Sequence, residues 1–207
     1  MSAIAVIDFE TTGISPTMGD RATEVAIVLL DNGKVVDRFQ SLMNAGVRIH
    51  SFITQLTGIT NDMVQAAPPA EQVMREAARF VAGRPMAAHN AAFDRKFWQA
   101  ELARCGEVAA HPFACTLLLS RRLYPHAPNH KLGTLAALHH LPAAGRAHRA
   151  LADAEVAASL LWQIQNDLQI RHGCEWPNHA LLMGLQRTSR HLVSSYLKRH
   201  AETALTS

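Results

Sequence analysis

The 207-residue chain has only three cysteines, Cys105, Cys115 and Cys174, and no two of them form a C-x-x-C pair. An odd number without paired spacing excludes a disulfide framework and points to a reducing compartment. Long apolar runs are missing too: none approaches the roughly 20 residues needed to span a bilayer. No basic segment followed by an apolar stretch and a cleavage site opens the chain, so the expected location is the cytoplasm, away from any membrane. A strong excess of one charge is also absent. The formal net charge is +3, too small to announce a nucleic-acid binder by composition. That surplus is local, because residues 171–207 carry five Lys/Arg against two Asp/Glu while the rest is balanced. Internal repeats and low-complexity tracts are absent. What remains, 48% hydrophobic and 18% charged residues, is the composition of an ordinary globular protein. The length suits one domain with an appendage.

Three strand-like segments come first, at residues 3–8, 22–30 and 34–43. Asp31-Asn32-Gly33 joins the last two, and Asn-Gly tolerates the positive φ of a tight hairpin turn. A helix follows from Pro68-Pro69 to about Ala82, stopping at Gly83. A short strand at 86–89 leads to Asn90, read as the N-cap of a helix ending near Gly106. A further strand covers 112–115, and helices cover 116–123, 131–140 and 149–169. Hairpin strands followed by strands alternating with helices predict an α/β domain with a mixed sheet. Residues 1–170 form the expected domain. Residues 171–207 form a helical extension with a loose end, its stripe of Leu182, Leu185, Leu192, Val193 and Tyr196 packing on the domain or meeting a partner.

Within this frame several acids stand in unusual places. "AVIDFETTG" (5–13) leads an apolar strand into Asp8 and Glu10, which share one face because strand residues two apart do. Carboxylates that close repel unless a positive charge lies between them. "HNAAFD" (89–94) sets Asp94 in a helix's first turn beside Phe93, Phe97 and Trp98. "HRALADA" (148–154) sets Asp153 on the core-facing stripe of Ala157, Leu160 and Ile164, where an acid is costly unless paired or bound to metal. Each acid taken alone has an ordinary structural explanation. Together, four carboxylates at strand ends and helix starts can meet at one edge of an α/β sheet, where ligands bind. Oxygen donors without cysteine suit Mg²⁺ or Mn²⁺. Two such ions about 3.5–4 Å apart suit in-line attack on a phosphodiester. A nearby imidazole can take the water's proton, since an unperturbed imidazole has a pKa near 6.5.

"DFETTG", "HNAAFD" and "HRALADA", with "LTGIT" at 56–60 between the first two, resemble the motifs of the DEDDh 3′→5′ exonucleases. That group includes the epsilon subunit of bacterial DNA polymerase III and ribonuclease T. The likeness covers roughly residues 3–165 in order and spacing. It implies a ribonuclease-H-like fold, with a five-stranded mixed sheet flanked by helices and an antiparallel second strand. It implies that Asp8, Glu10, Asp94 and Asp153 hold two Mg²⁺ or Mn²⁺ ions, with His148 as general base. It further implies substrate contacts from Phe9, Thr11, Thr12, Gly13, Leu56, Thr57, His89 and Asn90. Thr57 stands where the epsilon subunit has histidine.

The resulting expectation is removal of nucleoside 5′-monophosphates from single-stranded 3′ ends of DNA, in proofreading or repair. RNA ends or short oligoribonucleotides are an alternative substrate. A silent module that binds nucleic acid or a polymerase is an alternative of another class, disfavoured because no carboxylate is missing and His148 is present. The tail shows no clamp-binding motif, and a polymerase partner or self-association through it stays open.

Overall fold

Five strands are found among the described residues of the computed structural model: β1 (Ile4–Thr11), β2 (Ala22–Asp31), β3 (Lys34–Leu42), β4 (Met86–Ala88) and β5 (Phe113–Cys115). Residues 3–204 are described, except 143, 144, 146, 147, 175 and 176. The strands form one sheet in the order β3-β2-β1-β4-β5. β2 is antiparallel to both β1 and β3, while β4 is parallel to β1 and to β5. This is the mixed five-stranded sheet that the motifs implied. The hairpin turn forms as expected, with Asn32 and Gly33 at φ 46° and 78°. Gly33 is required for a second reason: a Cβ there would stand 2.4 Å from the Trp162 ring.

The period of two along β1 sorts its side chains onto two cores. Ala5, Ile7 and Phe9 face a cluster that includes Val73, Met74, Phe97 and Trp98, from α3 (Ala70–Val81) and α4 (Ala91–Arg104). Ile4 and Val6 face the opposite cluster, built on α7 (Ala150–His172). Asp8 and Glu10 continue that second parity, so the strand turns from apolar to acidic where it reaches the first turn of α7. α5 (Thr116–Leu123) and α6 (Leu132–Leu138) also pack on the α7 side.

Two short helices, α1 (Ser51–Thr57) and α2 (Asn61–Gln65), occupy a segment for which the apolar pattern predicted no element. Each is too short to show a full amphipathic repeat. They are held by a small cluster of Ile49, Ile59 and Val64 and by the side-chain cap of Thr60 on the Met63 amide.

The tail forms α8 (His179–Leu185) and α9 (Val193–Ala204), and residues 205–207 of the expected loose end lie outside the described residues. Leu181, Leu182, Leu185, Val193 and Leu197 are buried in the α7-side core, whereas Leu192 is exposed. The tail also completes the edge of the sheet. The Gln186 side chain accepts from the Cys115 amide at 2.6 Å and donates to the Phe113 carbonyl at 3.1 Å, as a neighbouring strand would. Packing on the domain therefore accounts for the stripe apart from Leu192. Leu182→Ala is expected to lower unfolding free energy by about 3 kcal/mol, the usual cost of a buried leucine truncation. A urea titration checks this, and an unchanged midpoint would show that the tail contributes no core.

Candidate active site

Three elements bring the acids together. Asp8 and Glu10 lie near the end of β1, Asp94 lies in the first turn of α4 just beyond β4, and Asp153 lies in the first turn of α7. One oxygen each from Asp8, Glu10 and Asp153 lies within 4.8 Å of the others. Asp94 is outside that trio, 2% exposed, and is the strongest charged neighbour of Asp8.

Burial and mutual repulsion both oppose ionisation here. Burial, then the charges of Asp94, Asp153 and Glu10, push the Asp8 carboxyl well above its ordinary range. Burial raises Glu10 to about 7, helped by Asp153 and Glu24 and opposed by Arg149. Burial raises Asp94 to about 8, although its own backbone amide and that of Phe9 favour the charged form. Asp153 is raised by burial and opposed by the amide and charge of His148. A divalent cation relieves all of these at once. The donor set is all carboxylate oxygen with neither thiolate nor amine inserted, which fits Mg²⁺ or Mn²⁺.

His148 precedes α7 with φ 59°, the left-handed region that a non-glycine residue enters at a cost. Its backbone amide donates to Asp153 Oδ2 at 3.0 Å, which fixes both residues relative to one another. His148 is exposed and lines a cavity of about 1320 Å³ together with Asp8 and Asp153. His89 and Asn90 line the same cavity, and Arg121 and Lys131 contribute to its walls.

His89 is held neutral, because burial lowers its pKa to about 4. With Nε2 at 3.0 Å from the His130 carbonyl, that nitrogen carries the proton, and Nδ1 accepts from the Thr116 hydroxyl at 2.9 Å. Asn90 occupies the position before α4 but departs from the expected cap: its φ is 63° and its side chain makes no capping hydrogen bond. Asparagine tolerates this left-handed conformation better than most residues.

The remaining residues expected at a substrate are placed as follows. Phe9 is in the core of the opposite sheet face, so only its backbone reaches the acids. Thr11 donates to the Gly13 carbonyl at 2.6 Å, and Thr12 accepts from the Arg21 amide at 3.1 Å. Gly13 lets Asp20 approach, because a Cβ would stand 2.4 Å from that carboxylate. Leu56 is exposed, whereas Thr57 is buried, donating to Ile53 and accepting from the Ile59 amide. The threonine hydroxyls are thus engaged by neighbouring backbone.

Four further residues were not singled out by the motifs. Arg21 makes a two-pronged ion pair with buried Glu101 on α4, at 2.9 and 2.8 Å. Arg149 makes another with buried Glu24 on β2, at 3.1 and 2.8 Å. An acid inside the apolar run ATEVAIVLL was the available signal for Glu24, since a buried carboxylate needs a partner.

Residues 5–161 match the profile of the RNase_T family, described as exonuclease. The chain is 38% identical over 170 residues to a PolC-type DNA polymerase III of Caldanaerobacter subterraneus, covering 79% of this chain and 12% of that protein. It is 36% identical over 193 residues to the 3′-5′ exonuclease DinG of Bacillus subtilis, covering 91% of this chain and 20% of that one. The chain therefore spans an eighth to a fifth of these relatives. Among solved structures, exonuclease X in complex with 5′ overhanging duplex DNA is similar with a TM-score of 0.69 and 27% identity, over 87% of this chain and 99% of that one. The nuclease domain of 3′hExo, a DEDDh family member bound to rAMP, shares the fold with a TM-score of 0.67 and 23% identity, over 84% and 94% of the two chains.

The raised carboxyls set the sign of a pH effect. In the folded protein these groups hold their protons above the ordinary carboxylate range, so stability is lost as pH rises from about 4 through about 8. EDTA-treated protein is expected to melt lower near pH 8.5 than near pH 5.5, with Mn²⁺ restoring more at the higher pH. Asp94→Asn should raise the melting temperature of the cation-free protein and shrink the manganese-induced gain. Circular-dichroism melts check this. Curves insensitive to both pH and Mn²⁺ would remove the cation site.

Proposed function

Because the chain belongs to the RNase_T family of exonucleases, we propose that it is a divalent-metal-dependent 3′→5′ exonuclease. It would hydrolyse the terminal phosphodiester of a single strand and release a nucleoside 5′-monophosphate. The observation that carries this reading is the convergence of Asp8, Glu10 and Asp153 within 4.8 Å, with Asp94 beside them and His148 on the wall of the same cavity. Asp8, Glu10, Asp94 and Asp153 would hold two Mg²⁺ or Mn²⁺ ions, directly or through water. When bound, the ions supply positive charge that acidifies the attacking water and stabilises the departing 3′ oxygen.

The chain's own residues do the rest. His148, exposed to the cavity and anchored through its amide, takes the proton of the attacking water on a ring nitrogen. Water oxygen bonds to phosphorus as the bond to the 3′ oxygen breaks. The departing 3′ oxygen takes up a proton from solvent water, so the shortened strand ends in a 3′ hydroxyl and the released nucleotide keeps its 5′ phosphate. The backbone of Thr11, Thr12 and Gly13 would approach the terminal nucleotide, while the Thr11 and Thr12 hydroxyls are tied to the Gly13 carbonyl and the Arg21 amide. Leu56 would offer exposed apolar surface to a base, and His89 and Asn90 line the cavity that holds Asp8 and Asp153.

DNA is the favoured substrate, supported by the likeness to segments of DNA polymerase III chains and to a DNA-bound exonuclease. A proofreading or repair role follows from the same likeness, as would association with a polymerase. The tail is packed into the core and carries no separate argument for self-association.

Purified protein with Mn²⁺ or Mg²⁺ is expected to shorten a 5′-labelled single-stranded DNA stepwise. EDTA or Asp8→Ala should abolish the ladder with the fold intact. His148→Ala should lower kcat by roughly 10²–10⁴-fold with little change in strand binding. A matched RNA shortened faster than the DNA would move the substrate class to RNA ends, and Asp8→Ala retaining full activity would refute the mechanism.

A further inference from the structure

Strand β2 carries none of the four proposed ligands, yet its Glu24 stands directly opposite Glu10 in the β1–β2 register and is fully buried. Oε1 accepts from Gln40 Nε2 at 2.7 Å and from Arg149 Nη2 at 2.8 Å. Oε2 accepts from Arg149 Nε at 3.1 Å and from the Ala150 amide at 3.2 Å. A carboxylate offers about four lone-pair sites, and all are engaged here. Burial opposes ionisation of Glu24, but these bonds hold its carboxyl below the ordinary range. Glu24 is therefore a charged acid beside the cluster with no free site for a cation.

Three of its four bonds come from one place. Arg149 is the residue that caps α7, Ala150 is the first residue of that helix, and His148 comes immediately before. The His148 amide is in turn held by Asp153. Glu24 thus grips the start of the helix that carries a proposed ligand and directly follows the proposed proton acceptor. The two-pronged geometry fixes direction as well as distance.

We infer that Glu24 and Arg149 are a positioning pair, which seats the first turn of α7 on β2 so that Asp153 and His148 meet Asp8 and Glu10 in a cation-ready arrangement. The inference rests on the proposed cation site and adds to it two residues that touch neither ion nor substrate. Removal of such outer partners typically costs 10–100-fold in metal affinity, which separates positioning from mere contribution to folding.

The test uses the full chain with Arg149→Lys, Arg149→Met, Glu24→Gln and the double variant E24Q/R149M. Mn²⁺ affinity is read from the resonance signal of the free ion, alongside thermal melts and steady-state kinetics on a labelled single strand. Both Arg149 variants are expected to bind Mn²⁺ about tenfold more weakly or worse, with kcat reduced and KM for the strand within about twofold. The double variant leaves no unpaired buried charge. It should melt cooperatively and still show the weakened Mn²⁺ binding. Wild-type Mn²⁺ affinity in the folded double variant would overturn the inference, reducing the pair to charge balance. Should Arg149→Met not fold, Arg149→Lys and the double variant decide by the same criterion. Wild-type protein that binds no Mn²⁺ would instead remove the cation site itself, and the inference with it.

Discussion

Repulsion among carboxylates held out of water is the constraint around which the rest of this molecule is arranged. Asp8, Glu10 and Asp153 are within 4.8 Å of one another, and Asp94 adds a fourth acid that is almost fully buried. Left to itself such a group would spread apart or stay protonated, and the raised carboxyls of Glu10 and Asp94 show the second tendency. The scaffold must therefore supply enough packing to keep the acids together without a cation. It does so with two apolar cores, one on each face of a sheet whose central strand bears two of the acids. The energy stored in that crowding is what a divalent cation releases on binding, so poor solvation in the empty state and affinity in the loaded state have one origin.

Two ion pairs show how the crowding is held. Arg21 and Glu101 tie the start of β2 to α4, seven residues along from Asp94. Arg149 and Glu24 tie β2 to the start of α7, four residues before Asp153. Buried ion pairs are poor sources of net stability, because desolvation offsets most of the attraction. Their value here is directional. Each joins a helix that carries one of the acids to the strand that carries none, and a fork-shaped contact resists rotation as well as separation. Replacing either with apolar side chains could preserve folding while loosening the register of the acids.

The sheet, its order of elements and the acid cluster were legible in the chain because each leaves a periodic or compositional mark. An Asn-Gly pair marks the hairpin, while an apolar run ending in Asp-Phe-Glu and an acid on the stripe of Ala157, Leu160 and Ile164 are contradictions that a shared site resolves. Other features left no such mark. Helices α1 and α2 are too short for a periodic signal and depend on three residues, Ile49, Ile59 and Val64, that are contiguous only after folding. The departure of Asn90 from a normal cap is a backbone choice, since the same residue type serves either conformation. The role of Arg149 was hidden by its neighbours, because His148 and Asp153 drew the chemical meaning of the segment to themselves.

His148 shows why the strain and the chemistry belong together. Its left-handed backbone is unfavourable for a residue with a Cβ, and it persists because Asp153 accepts its amide while Arg149 is anchored one residue later. Strained residues of this kind survive where surrounding contacts over-determine them. Here the determining contacts come from Asp153 and from the Arg149–Glu24 pair, so His148 cannot relax without disturbing both. A helix that began one residue earlier would relieve the strain, but it would withdraw the amide from Asp153 and return the imidazole to the helix surface. The start of α7 is thus a compromise between a comfortable backbone and a working cavity, and Glu24, buried beneath it, is what holds the compromise in place.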